Sequence, residues 1–139
     1  RLIPKIKPAV IQSKANILNT QFITENSIVA QLLKKYNIKF FAFSPFEHGL
    51  LLNKYDSTFD KNKFFCDGDH RKNLKKFDLI NILKIDKSLN KIANKFNVNS
   101  DIEGFANICL DFLFFHKTVD GVIFGFRNKK QVEIISKYL

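Results

Sequence analysis

A chain of 139 residues with 45% hydrophobic residues and 16 phenylalanines is long and apolar enough to bury the core of one domain, which excludes a disordered chain. Its longest apolar stretches, 38–46 and 108–115, are broken by polar residues and fall short of the roughly 20 residues a spanning helix needs, so no membrane segment is expected. A net charge of +10 would suit an anionic partner, but the lysines sit in short scattered runs with no groove-reading or base-reading motif, and they read as solvated faces rather than a nucleic-acid interface.

In chain order, Pro8-Ala9-Val10-Ile11-Gln12 predicts a short buried strand within 7–13. Thr24-Glu25-Asn26-Ser27 supplies capping residues for a helix whose stripe is Ile28, Val29, Leu32, Leu33 and Tyr36. Asn37 breaks that helix, and 38–43 predicts the second strand, stopped by Pro45. A long loop then runs from Ser44 to about Asn73. The spacing next predicts a helix over 73–96, in one or two pieces, burying Leu79, Ile82, Leu83, Ile85, Leu89, Ile92 and Phe96. Ser100-Asp101 caps a further helix with Phe105, Ala106, Cys109, Leu110, Phe112 and Leu113 on its apolar face. Residues 119–124 predict the third strand, Gly125 a tight exit, and Asn128 the cap of a last helix carrying Val132, Ile135 and Leu139. Strand and helix alternating three times is the pattern of a parallel α/β unit.

Cys66 and Cys109 lie far apart, with no C-x-x-C pairing and no histidine at metal spacing, so two reduced thiols in the cytoplasm are expected. No methionine occurs, and no apolar signal region follows Arg1-Leu2-Ile3-Pro4-Lys5; a secretory leader is not expected, and the chain reads as truncated at its front. Asp67, Asp69 and His70 match no calcium or zinc spacing, so no metal site is assigned. The absence of G-x-G-x-x-G argues against a Rossmann domain.

Three segments carry more information than the rest. They are Phe40-Phe41-Ala42-Phe43-Ser44-Pro45-Phe46 with Gly49-Leu50-Leu51, then Gly68-Asp69-His70-Arg71, then Ile123-Phe124-Gly125-Phe126-Arg127-Asn128 with Gln131-Val132-Glu133. In this order and approximate spacing the chain resembles the aldo/keto reductases over nearly its whole length. The resemblance implies that residues 1–139 are the C-terminal portion of a (β/α)8 TIM barrel, its last three β/α units, with the long loop after the second of its strands. Such a barrel usually takes about 250 residues. The activity implied is reduction of aldehydes and ketones with NADPH. The family's catalytic tyrosine, lysine, aspartate and histidine lie in earlier strands, so no catalytic residue is assigned here.

The resemblance also implies a cofactor surface. Gln12 would hold the nicotinamide carboxamide, and Phe43 would stack on the nicotinamide ring. Ser44, Phe46, Gly49 and Leu50 would wrap the pyrophosphate. Gly125 and Arg127, at a helix N-terminus, would receive the 2'-phosphate that distinguishes NADP from NAD, with Gln131 beside the adenosine phosphate. His48 reads as a solvated loop histidine, and the Asp69-His70-Arg71 segment as structural. Phe124, Phe126, Ile134-Ile135, Lys14 and Ala15 depart from the family pattern, the isoleucines where Glu-Asn would approach the adenine. The implied partners are a small carbonyl substrate in the complete enzyme and either a complementary N-terminal half or a second copy of this chain. The alternative is a non-enzymatic half-barrel acting as a structural or partner-binding module.

Overall fold

The computed structural model describes residues 2–139, which form two compact units. The first comprises the chain up to Glu47 together with Asn107–Leu139, and the second is His48–Ala106. The elements are α1 (Ile3–Ile6), β1 (Val10–Lys14), α2 (Ile28–Tyr36), β2 (Lys39–Phe43), α3 (Lys61–Phe64), α4 (Leu79–Phe96), α5 (Ile102–Phe115), β3 (Gly121–Ile123) and α6 (Lys129–Tyr138). The result is an α/β fold built on a parallel sheet in the order β1-β2-β3.

The three strands fall where the apolar runs predict them, with β1 starting three residues later than the sequence suggests and β3 shortened at both ends. Ser27 caps α2 by accepting from the Ala30 N–H, and Asn37 ends that helix in the left-handed conformation. Asn128 caps α6 in the same way as Ser27 does α2, through the Gln131 N–H.

The first unit's core lies on one face of the sheet, where Phe40 and Ala42 pack with Ala15, Ile23, Leu33, Ile38, Leu113 and Val119. Asp120 fastens the amino ends of two strands. Its backbone N–H donates to the Phe40 carbonyl, and its carboxylate accepts from the Phe40 N–H (2.9 Å) and from Lys39 Nζ (2.7 Å). Partial burial pushes the Asp120 carboxyl up, but the Lys39 and Phe40 hydrogen bonds outweigh it and hold the group below its ordinary 3.8. A depressed folded pKa adds stability that is present above the ordinary value and lost as the pH falls through the folded one. Asp120→Asn is therefore expected to lower stability at neutral pH by up to about 1 kcal/mol. In urea titrations that gap from the wild type should close as the pH drops below the ordinary aspartate range.

The second unit has an aromatic core of Tyr55, Phe59, Phe65 and Phe77 with Leu50 and Ile82. Edge-to-face pairs recur, with Tyr55–Phe59 at 4.7 Å and Phe65–Phe77 at 5.1 Å between centroids. The Asp69-His70-Arg71 segment serves this core. Asp69 caps a 3-10 turn over His70–Asn73 by accepting from the Arg71 N–H, and the Arg71 guanidinium forks onto the same carboxylate while lying 4.2 Å over the Phe65 ring. That hydrogen bond to Asp69 raises the Arg71 pKa against the opposing effect of burial.

Two expectations need correction here. The helix predicted from residue 73 begins at Leu79, because two 3-10 turns, His70–Asn73 and Lys75–Phe77, occupy the approach to it. Its buried stripe is also narrower than the pattern suggests. Ile82, Leu89 and Ala93 are inside, whereas Leu79, Leu83 and Phe96 are exposed, as are Val132 and Leu139 towards the end of the chain.

α5 keeps its predicted apolar face, with Phe105, Ala106, Cys109, Leu110 and Leu113 buried. Its first turn admits only glycine at 104. The Gly104 N–H donates to Asp101 Oδ1 (2.7 Å), and a Cβ there would run into the backbone carbonyl oxygen of Asn99. Gly104→Ala is expected to cost about 1–3 kcal/mol through this overpacking, read as a lowered thermal midpoint in calorimetry. Among the described residues, no helix is long and apolar enough to cross a membrane.

Candidate functional site

Parallel strands deliver the loops that follow them to one edge of a sheet, so the segments after Lys14, Phe43 and Ile123 leave from the same side. Strand alternation then decides which residues face which way. The register pairs Gln12 with Phe41, Lys14 with Phe43, Phe41 with Gly121 and Phe43 with Ile123. Gln12, Lys14, Phe41, Phe43, Gly121 and Ile123 consequently share the face opposite the Phe40 and Ala42 core.

That face is the less covered one. Gln12 is exposed, and Phe43 retains 39% of its accessible surface whereas Phe40 retains none. Phe41 occupies the space above Gly121, where a Cβ would stand 3.3 Å from the ring. The carboxamide of Gln12 and the ring of Phe43 thus lie on one open surface of the sheet, Phe43 at the carboxyl end of its strand and Gln12 at the middle of its own.

The loop after β2 begins in the left-handed conformation at Ser44 (φ 55°) and returns to it at Glu47 (φ 48°). Between them Pro45 is buried and Phe46 is half-buried, and the Glu47 N–H closes a turn onto the Ser44 carbonyl (3.1 Å). Glu47, which the sequence did not single out, is 3% exposed. Its carboxylate accepts from Lys14 Nζ (2.6 Å), Asn16 Nδ2 (2.7 Å) and Asn19 Nδ2 (3.2 Å). Gly49 and Leu50 belong to the second unit, as does His48. Gly49 has φ +88°, which favours glycine, and Leu50 is a buried core side chain that has only its backbone to offer a ligand. His48 is exposed, and its ring meets that of His70 edge-on at 5.4 Å.

The loop after β3 meets the loop after β2 through aromatic rings. Phe46 and Phe124 lie 5.8 Å apart between centroids, and Phe124 stacks on Phe126 at 5.9 Å and 22°. Gly125 does not have the left-handed backbone its expected tight turn would require, and a Cβ there would meet nothing within 4 Å. The surface before α6 is open there.

Arg127 is exposed and directly precedes the helix cap, and its guanidinium takes part in no ion pair among the described residues. Gln131 is committed on one side only. Its Oε1 accepts from the Arg127 N–H (2.7 Å), while its own N–H donates to Asn128 Oδ1, a reciprocal cap that leaves its amide hydrogens for another acceptor. Ile135, where the resemblance expects a polar adenine contact, is a buried core residue.

Within the first unit the carboxyl edge therefore offers an amide, an aromatic ring, the Ser44 hydroxyl, a permanently charged guanidinium and the N-terminus of a ten-residue helix. These fit a flat amide-bearing ring at one end of a ligand and a phosphate at the other. Two reactive groups of this unit, Cys109 and Tyr138, are tied up. Burial pushes the Cys109 thiol up to about 12, and burial together with a 2.7 Å hydrogen bond to Asp111 does the same to the Tyr138 phenol. Among the described residues no three His, Cys, Asp or Glu side chains are grouped to hold a metal.

Comparison with known proteins bears on this arrangement. The family model described as the aldo/keto reductase family matches residues 2–139. The chain is similar in fold to the structure of a glycerol dehydrogenase from Gluconobacter oxydans, with a TM-score of 0.58 at 16% identity. The match covers 94% of this chain and 43% of that one, so the chain spans less than half the length of that structure. Comparison with the curated proteins returns no match. A family match over nearly every residue, on a parallel α/β sheet whose loops gather at its carboxyl edge, establishes that this chain belongs to the aldo/keto reductase family.

Proposed function

We propose that this chain is the cofactor-binding part of an NADPH-dependent oxidoreductase that reduces aldehydes or ketones by hydride transfer. Its three β/α units would be part of a (β/α)8 barrel, and the open face bearing Gln12 and Phe43 would look into that barrel. The observation that carries this reading is the shared placement of Gln12 and Phe43 on the uncovered face, beside the loops that carry Ser44 and Arg127.

The roles follow from chemistry. Gln12 has both a donor and an acceptor for a carboxamide. Phe43 presents a ring face that selects one side of the nicotinamide. Ser44 and Phe46 shape the pyrophosphate loop. Gly125 leaves room, and Arg127 and the Gln131 amide bind the phosphate that separates NADPH from NADH. NADPH supplies the hydride. The groups that protonate the carbonyl come from a complementary part of the barrel, which also covers the open face. A cytoplasmic location suits the two free thiols.

The buried Ile135 favours a second reading, a non-enzymatic half-barrel whose open face binds a partner or a second copy. Fluorescence titration of NADPH with the chain separates the two. The enzyme reading predicts saturable binding that NADP competes away more strongly than NAD. A chain that self-associates and shows no saturable NADPH binding would favour the second reading.

A further inference from the structure

We infer that Glu47 is a positioning residue whose buried carboxylate sets the path of the Ser44–Phe46 segment and, through it, the affinity of the dinucleotide site. The inference rests on the proposed reading of that site.

The geometry is a clasp between two loops. Asn16, itself 1% exposed, donates through Nδ2 both to Glu47 Oε2 (2.7 Å) and to the Ser44 carbonyl (2.9 Å). Its Oδ1 accepts from the Leu18 N–H (3.0 Å) and Asn19 Nδ2 (2.9 Å), which holds the amide in one orientation. Asn19 Nδ2 also reaches Glu47 Oε2, and Lys14 Nζ approaches Oε1. The segment after β1 is thereby joined to the loop after β2 beyond the last strand pairing, where the Ala15 N–H still reaches the Phe43 carbonyl (3.3 Å).

Two features make the carboxylate the determinant. Ser44 and Glu47 both hold left-handed backbones without being glycine, a conformation that persists only where surrounding contacts impose it. In addition, three donors converge on Glu47, and an ionised carboxylate is the side chain that only accepts. A glutamine in its place turns one donor against the others. Lys14, paired in register with Phe43, ties the clasp to the ring proposed to meet nicotinamide.

The test compares Glu47→Gln, Lys14→Met and the double variant with the wild type, by amide hydrogen exchange and NADPH titration. In Glu47→Gln the Ala15, Leu18 and Glu47-position amides should exchange at least about tenfold faster, while the Leu33 amide of the α2 core keeps its rate. NADPH affinity should fall about three- to tenfold, and the thermal midpoint should fall with it, because a buried charged hydrogen-bond network is disturbed. In the double variant, removal of the ammonium lets the Gln amide turn its oxygen to both asparagines, so part of the protection and affinity should return. Unchanged loop exchange in Glu47→Gln overturns the inference, as does acceleration spread evenly over the core. A wild type without NADPH affinity overturns the dinucleotide reading. The exchange data then decide the clasp alone, faster loop exchange upholding its hold on the segment and unchanged exchange sinking it.

Discussion

Phe40→Ala is expected to remove about 3–5 kcal/mol of stability, as deletion of a fully buried ring does, against the roughly 5–15 kcal/mol that holds a typical domain folded. Phe40 has no accessible surface, lies in the central strand, and packs among Leu33, Ile38, Ala42 and Leu113. Three positions along the same strand, Phe43 sits on the opposite face with 39% of its surface open. Phe43→Ala should therefore cost less, about 1–2 kcal/mol, since only part of its ring is buried to begin with. Urea midpoints of the two variants decide the matter. Comparable losses would mean that the sheet is covered on both faces, and the open-surface account of the site would fail.

Arg127→Ala is expected to weaken NADPH binding about ten- to a hundredfold, the worth of a charged hydrogen-bonding contact to a phosphate, while leaving NADH binding nearly unchanged. Arg127 stands one residue before the α6 cap, and its backbone N–H is already held by Gln131 Oε1, so its contribution to a ligand comes from the guanidinium. Because that side chain is exposed, the substitution should not move the thermal midpoint. The affinities of the variant for the two dinucleotides, measured by titration at one salt concentration, provide the check. Equal losses for NADPH and NADH would remove Arg127 from the 2'-phosphate role.

Much of the fold was legible because its signals are local. Ser27 before Ile28 and Asn128 before Lys129 mark helix starts that the structure keeps, and the runs around Val10, Phe40 and Val122 become the three parallel strands. The alternation within Lys39–Phe43 was not legible, because four of five residues are apolar and nothing in the string separates the core face from the open one. Likewise the stripe of α4 overstates burial at Leu79, Leu83 and Phe96, since periodicity reports a face and not how much of it finds a neighbour.

The site shows the same division. The motif loops could be placed by resemblance, but Glu47 left no trace. Its partners Lys14, Asn16 and Asn19 are about thirty positions away in sequence, and a long-range charge pair has no local pattern. Lys14 looked like a departure from the family. The structure gives it a partner, since Lys14 and Glu47 form an ion pair at 2.6 Å beside the loop that follows β2.

The central claim is that a dinucleotide lies across the carboxyl edge of this sheet, and backbone amide NMR of the labelled chain titrated with NADPH tests it most directly. The account predicts saturable shifts concentrated at Gln12, Phe43 to Phe46 and Gly125 to Gln131, with the Arg127 region silent towards NADH. Shifts confined to scattered surface lysines, or none at ligand saturation of a folded chain, would contradict it.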